Sequence, residues 1–123
     1  MINGYWSRSN VPAEVVHRLR LLGANGADLT RQEPTYAGVA VTRTGEGAYR
    51  ATFTDNPGNF VGWFFGFGAA TPADLKGYTA VRDTWDATNK RLDFVVYDST
   101  FTAADLIADQ YIDIHMVFSD TAV

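Results

Sequence analysis

The side chains best suited to act as general bases are two histidines, His17 and His115, and each lies where apolar and polar residues alternate. A hydrolytic triad also needs a nucleophile beside the base and a carboxylate that orients the base. The chain has no cysteine, and no serine lies in the Gly-x-Ser-x-Gly turn that exposes a nucleophile. We therefore predict that both histidines are ordinary strand residues and that the protein is not an enzyme.

A second candidate site is a group of carboxylates near the C-terminal end of the sequence. Asp98, Asp105 and Asp109 offer the hard oxygen ligands that calcium prefers, but their spacing matches no EF-hand loop. Asp113 continues the four-residue spacing of Asp105 and Asp109, yet it falls in an alternating stretch where a helical stack of carboxylates would not form. A solvated acidic loop is the simpler interpretation, and we predict no metal site.

Glycines and aromatic residues crowd the stretch from Phe60 to Ala70. The chain contains no Gly-x-x-x-x-Gly-Lys-Ser/Thr motif, and these glycines do not open a helix, so we predict no phosphate cradle and no cofactor. Trp63, Phe64, Phe65 and Phe67 would stack on sugar rings if they were exposed. Packing in the core is the favoured interpretation.

Composition limits the remaining function classes. The 123 residues allow one domain with a sizeable core, and the absence of cysteine excludes a disulfide framework. The net charge is −4 and no lysine–arginine cluster is present, so we expect no nucleic-acid partner. The sequence shows no signal peptide and no apolar run of membrane-spanning length, and we expect a soluble protein made in a cytoplasm, without a membrane partner.

Short alternating stretches separated by turn residues predict an all-β chain. The clearest unit is a hairpin of residues 36–44 and 47–54, and residues 77–85 and 90–97 form a second one. Residues 15–23 alternate like a strand but also permit a short helix, and residues 102–106 form either a helical turn or a loop. Further strands are predicted over 60–67 and 112–118. Because residues 60–67 are apolar on both faces, we expect that strand to be central or covered by a second layer.

These elements predict a single antiparallel β-sandwich, Ig-like or jelly-roll-like, over residues 13–123, preceded by an N-terminal arm of residues 1–12. The arm carries two large aromatic residues, Tyr5 and Trp6, with Arg8 beside them. They either fold back on the domain or anchor the protein to a partner, because aromatic residues and arginine supply most of the binding energy at interfaces. We take Tyr5, Trp6 and Arg8 as the candidate partner interface.

The stretch from Gly38 to Asp55 resembles a hairpin found in small virion structural proteins of tailed bacteriophages. In those proteins a strand ending in Arg-Thr-Gly-x-Gly leads into Tyr-x-x-Thr and an aromatic or aliphatic residue, as residues 43–53 do here. Residues 21–27 and 105–119 occupy similar places. Proteins of this kind include capsid decoration or cement proteins, which bind the outside of the head shell and reinforce it, often as trimers.

The resemblance implies a non-enzymatic virion structural protein that binds the major capsid protein on the outer capsid surface after synthesis in the host cytoplasm. It also implies a homo-oligomer, with a trimer favoured. An acidic protein fits the outer surface of the shell better than the inner one, because packaged DNA would repel it.

Two other functions remain open from the sequence. One is a glycan- or receptor-binding β-sandwich on a phage tail or fibre, which requires Trp63, Tyr78 or Trp85 to be exposed around a shallow groove. The other is a small-ligand barrel, which short strands and many glycines disfavour.

Overall fold

The strands and the loops between them are seen in a computed structural model that describes residues 14–32, 38–71 and 77–119. The strands are β1 (Glu14–Leu22), β2 (Thr30–Gln32), β3 (Val39–Gly45), β4 (Ala48–Phe53), β5 (Asn59–Ala69), β6 (Thr79–Asp86), β7 (Arg91–Tyr97) and β8 (Gln110–Ser119). No helix occurs within these ranges. The prediction of an all-β chain is confirmed.

The strands form two four-stranded antiparallel sheets that pack face to face. One sheet has the order β2-β1-β8-β5 and the other has the order β3-β4-β7-β6. The predicted β-sandwich is therefore confirmed. We call the first the β8 sheet and the second the β7 sheet, after a central strand of each.

The core lies between the sheets because alternate residues of each central strand point to the same side. In β8, Ile112, Ile114, Met116 and Phe118 are buried, and Leu92, Phe94 and Val96 of β7 meet them from the other sheet. Burial of each such side chain contributes about 1.5–3 kcal/mol. Functional side chains are therefore left to the outer faces, the sheet edges and the loops.

Most of the predicted elements are present with small shifts at their ends. Residues 15–23 form a strand, β1, rather than a helix, and the two predicted hairpins are β3–β4 and β6–β7. Residues 102–106 are a loop and not a helical turn, because Ala103 forms a bridge with Tyr97 at the end of β7. The predicted arm, with Tyr5, Trp6 and Arg8, lies outside the described residues.

Strand β5 differs from the prediction of a central or doubly covered strand. It lies at the edge of the β8 sheet, and among the described residues it pairs with β8 alone. A register shift between Phe60 and Gly62 turns Phe60 towards the core beside Trp63 and leaves Val61 exposed on the outside. The apolar residues on its second face are therefore exposed at the surface.

Candidate interaction surfaces

The two histidines lie on opposite faces of the β8 sheet and do not share a site. His17 is half-buried on the inner face, with its ring 5.5 Å from the rings of Phe53 and Phe118, and burial lowers its pKa. His115 lies on the outer face in register with Phe64. Their separation offers no support for a catalytic pair.

The carboxylate of Asp105 binds donors of its own chain. It accepts hydrogen bonds from the Arg43 guanidinium at 3.0 and 2.9 Å, from the Gly47 backbone N–H at 2.8 Å and from the Tyr49 hydroxyl at 3.2 Å. We call these four residues the Asp105 cluster. The bonds from Arg43 are the main cause of the lowered pKa of Asp105, whereas burial raises the pKa of Tyr49 to about 12. The cluster ties the β3–β4 hairpin to the loop before β8.

Two other acidic residues near the C-terminus, Asp98 and Asp113, are also bound by the chain itself. Asp98 accepts from the hydroxyl of Thr100 at 2.7 Å, which lowers the pKa of Asp98, and Asp113 forms a two-bond ion pair with Arg20 of β1 at 2.7 and 2.8 Å. In the described ranges, no group of three or more histidine, aspartate or glutamate side chains is placed to hold a metal ion. These carboxylates stabilise the loop and the sheet.

The aromatic residues that a glycan site would use pack against the core. Trp63, Tyr78 and Trp85 are each half-buried, and Phe60 stacks on Trp85 with ring centroids 5.6 Å apart. Trp63 also lines a surface hollow beside Phe64.

A patch of exposed apolar side chains covers part of the outer face of the β8 sheet. Phe64 of β5 is 67% exposed and Val61 is 55% exposed, and Val16 of β1 and Val117 of β8 lie in adjacent strands. We call Val16, Val61, Phe64 and Val117 the Phe64 patch. Large apolar side chains grouped on a surface indicate a site where another molecule binds.

Two hollows flank the Phe64 ring. One has a volume of about 360 Å³ and is lined by Val61, Gly62, Trp63 and Val117, with Glu14 at its side. The other has a volume of about 230 Å³ and is lined by Phe65, Gly66, Asp113 and His115. A Cβ atom added at Gly62 or at Gly66 would meet no atom within 4 Å, so each glycine leaves open space beside a protruding ring.

The far end of the same face is closed by contacts within the chain. The ring of Tyr111 in β8 lies against Gly68 of β5, where an added Cβ would collide with it. The Arg20 guanidinium covers the other side of that ring at 4.4 Å and also binds Asp113. Open hollows therefore lie beside Phe64, whereas Tyr111 fills the corresponding position at Gly68.

A second exposed aromatic residue lies in the loop between β7 and β8. Asp98 accepts hydrogen bonds from the backbone N–H of Thr100 at 2.9 Å and of Thr102 at 3.1 Å, and the Phe101 N–H donates to the Asp98 carbonyl at 2.9 Å. These bonds hold Phe101 at a φ of 59°, a left-handed conformation that bulky residues seldom adopt. We call residues 98–102 the Phe101 loop.

The Phe101 loop lies on the opposite side of the sandwich from the Phe64 patch. The side chain of Phe101 is 66% exposed, and its ring stacks on that of Tyr97 with centroids 4.4 Å apart. Because Val96 points into the core, Tyr97 points to the outer face of the β7 sheet. Among the described residues, each outer face of the sandwich thus presents an exposed aromatic side chain, Phe64 on one face and Phe101 on the other.

The sequence offered one of these two aromatic residues as a binding candidate and not the other. It predicted that Phe64 would stack on sugar rings if exposed but favoured packing in the core, although Gly62, Gly66 and Gly68 share its face and indicate a face with little packing. It did not single out Phe101, whose signal is an aspartate followed by Ser-Thr-Phe-Thr, a sequence that favours a side-chain-capped turn.

No protein-family model, curated protein or solved structure matches this chain. Nowhere in the described residues is there a helix with the length and apolar character needed to span a membrane. Inference about function therefore depends on the geometry of the two exposed surfaces.

Proposed function

We propose that this chain is a non-enzymatic virion structural protein that binds the outer surface of a capsid and reinforces the shell. The observation that supports this function is the presence of two exposed aromatic surfaces, the Phe64 patch and the Phe101 loop, on opposite outer faces. A protein that reinforces a shell must hold two neighbours at once, and two separate surfaces allow this. The resemblance of the Gly38–Asp55 hairpin to tailed-phage virion proteins favours the head shell of a tailed phage as the partner.

We assign contact with the major capsid protein to the Phe101 loop. Its ring is already fixed by the bonds to Asp98 and by stacking on Tyr97, so little conformational freedom is lost when a partner covers it. Rigid, partly exposed aromatic residues supply much of the binding energy at protein interfaces. A durable contact also needs roughly 800 Å² of buried surface per partner, so neighbouring residues must contribute.

Ion pairs across the strands support a structural role for the acidic side chains. Arg50 of β4 binds Asp93 of β7 at 2.8 and 3.1 Å, and Arg20 of β1 binds Asp113 of β8. Each pair joins neighbouring strands of one sheet. Carboxylates held in this way stiffen the sandwich, and a stiff module transmits force between the partners it joins. Tyr5, Trp6 and Arg8 remain a predicted second contact with the shell.

The test is the copy number of the protein relative to the major capsid protein in purified particles, measured by quantitative mass spectrometry. We expect a ratio near one to one, because the shell alone offers that many equivalent sites. A Phe101→Ser variant should occupy the particles at least about tenfold less well at limiting concentration, since truncation of a central aromatic contact costs about 1.4 kcal/mol or more.

The matched control is Ser99→Ala, which changes the same loop without removing its aromatic side chain. We expect it to occupy the particles as the wild type does. A handful of copies per particle, or none, would rule out the shell-reinforcing role. Equal occupancy of the Phe101→Ser and wild-type proteins would remove the Phe101 loop as the contact.

A further inference from the structure

Three of the four edge strands in the described sandwich carry features that discourage pairing with another chain. Strand β2 is three residues long and includes Arg31, and β6 carries Arg82 and Asp83 with a register shift between Arg82 and Thr84. In β3, the backbone N–H of Arg43 donates to the Asp28 carboxylate at 2.7 Å. Short edges, charges, bulges and capped backbone groups are common protections of this kind.

The fourth edge strand, β5, lacks most of these protections. It is 11 residues long, from Asn59 to Ala69, and contains neither a charged residue nor a proline. Its one irregularity lies near its start, between Phe60 and Gly62. An edge that is long, uncharged and apolar is a template for pairing with another strand.

One glycine of β5 is covered by an aromatic ring from the neighbouring strand, and two other glycines of β5 lack such a cover. At Gly68, the ring of Tyr111 from the neighbouring strand fills the space that a side chain would occupy. At Gly62 and Gly66 the same outer face is open, and the exposed Phe64 ring lies between these two glycines. An aromatic residue from a strand on the free side of β5 would cover them in the same way.

A second copy of β5 is suitable as that partner strand, because its side chains alternate between the two faces of the sheet. Trp63, Phe65 and Phe67 align with core residues of β8, whereas Phe64 aligns with His115 on the outer face. Residues opposite each other in an antiparallel pair point to the same face, so two β5 strands match when Phe64 lies opposite Phe64. Gly62 of one copy then lies opposite Gly66 of the other.

In this register each Phe64 is the diagonal neighbour of Gly62 and Gly66 in the other copy. Diagonal neighbours are about 7–8 Å apart, within reach of an aromatic ring. Each ring therefore enters a hollow of the opposite copy, and Phe65, which is exposed at the edge, lies opposite Trp63. Because β5 is uncharged, no like charges are placed opposite each other in the paired strands.

We propose that β5 pairs antiparallel with β5 of a second copy of this chain, about a two-fold axis at Phe64. The contact is self-complementary, because each copy supplies both a protruding ring and the hollows that receive one. This inference deepens the proposed function by naming the occupant of the Phe64 patch, and the Phe101 loops remain free. It gives a dimer, where the phage resemblance favoured a trimer.

The first test is the mass of the full-length protein in solution, measured by light scattering across a dilution series. The wild type should have twice its 13.5 kDa protomer mass. Phe64→Lys should raise the dissociation constant about 30-fold or more, because a charge replaces a central aromatic residue. Val81→Lys is the matched control, since it adds the same charge at an exposed valine of another edge strand, and its dimer should be unchanged.

The Gly66→Val variant distinguishes an effect on dimer formation from an effect on the stability of the fold. A Cβ atom added at Gly66 meets no atom within 4 Å, and valine favours a strand more than glycine does. We therefore expect the melting temperature to stay the same or rise, while the dissociation constant increases because the hollow is filled. An unchanged dissociation constant would overturn the placement of Phe64 at this hollow.

The absence of cysteine allows the two-fold axis to be located directly. Residues opposite each other in antiparallel strands have Cα atoms about 4.5–5.5 Å apart, a distance that a disulfide spans. Phe64→Cys should form a disulfide-linked dimer under mild oxidation, whereas Val81→Cys should remain monomeric on a denaturing gel. A wild-type monomer or trimer, or equal cross-linking of both variants, would overturn the proposal.

These outcomes are independent of the shell. A dimer in solution that is absent from particles would retain the β5 pairing and remove the shell-reinforcing role. A monomer that occupies the particles near one to one would remove the pairing and retain that role.

Discussion

Strands β3 and β5 both lie at sheet edges, but they differ in whether side chains cap their backbone groups. The N–H of Arg43 in β3 donates to Asp28 at 2.7 Å, and the carbonyl of Val39 accepts from the Arg31 guanidinium at 3.3 Å. The Asp105 cluster fixes the end of the β3–β4 hairpin from the other side. Strand β5 has no comparable side-chain caps among the described residues, and after Asn59 its exposed side chains are apolar.

The difference indicates which parts of the molecule serve folding and which are available for binding. Hydrogen bonds that cap β3 satisfy backbone groups that would otherwise attract another strand. Gly47, in the turn between β3 and β4, is confined by neighbouring atoms, whereas Gly62 and Gly66 of β5 are not. Substitutions around β3 should therefore reduce the stability of the protomer, and substitutions at Gly62 or Gly66 on the outer face of β5 should leave it nearly unchanged.

Gly47→Ala should give the largest effect on stability. Gly47 has a φ of 70°, and an added Cβ would lie 2.6 Å from the backbone nitrogen of Ala104 and 2.8 Å from the carbonyl oxygen of Val96. Strain and backbone displacement together should lower the free energy of unfolding by about 3 kcal/mol or more. The measurement is denaturant unfolding of the variant and the wild type.

The control for Gly47→Ala is Gly66→Ala, which adds the same methyl group on the open face of β5. It should retain the wild-type free energy of unfolding or raise it by about 0.5–1 kcal/mol. A similar loss in both variants would contradict the distinction between the two edges.

Asp105→Ala should give the next largest effect. It leaves the Gly47 N–H, the Tyr49 hydroxyl and the Arg43 guanidinium without the carboxylate that accepts their hydrogen bonds. Loss of these bonds in a partly buried site should lower the free energy of unfolding by about 2–3 kcal/mol. The mass in solution should still be that of the proposed dimer, because the cluster lies away from β5, and a monomeric variant would link the two regions.

Low pH should reduce the free energy of unfolding, because it protonates the carboxyl group of Asp105. Its pKa is lower in the folded chain than the ordinary value of 3.8, mainly because Arg43 donates hydrogen bonds to it. The resulting stabilisation is fully present above that ordinary value and is lost as the pH falls through the lower, folded pKa. Unfolding followed from pH 6 to pH 2 should therefore show a fall below about pH 4. Asp105→Asn should flatten that fall, and an identical pH profile would contradict the assignment.

The sequence predicted the strands that have one buried face. In β7 and β8, apolar residues alternate with polar ones, and the structure buries the apolar set. It did not predict the edge position of β5, because a continuous apolar strand has the same pattern whether its outer face is covered by a second layer or by nothing. Simple alternation places Val61 on the same face as Trp63 and Phe60 on the same face as Phe64, and the register shift at Phe60 exchanges these two positions.

The Asp105 cluster could not be found from spacing. Arg43 and Asp105 are 62 positions apart, and their contact depends on how the loop before β8 returns to the β3–β4 hairpin. The same aspartate was a candidate calcium ligand in the sequence, since a carboxylate that binds arginine and one that binds a cation look alike there. Phe101 was missed because its exposure follows from a loop conformation set by Asp98.

Asp28→Ala should give the smallest effect and the finest test of the comparison. It removes one exposed hydrogen bond, to the Arg43 N–H, and should lower the free energy of unfolding by about 1 kcal/mol. Glu46→Ala, which removes another exposed acidic side chain near β3, is the matched control. The mass in solution should remain that of the proposed dimer, because Arg31 still caps Val39 and Arg43 still binds Asp105. A larger assembly in Asp28→Ala alone would show that this single cap keeps β3 from pairing as β5 does.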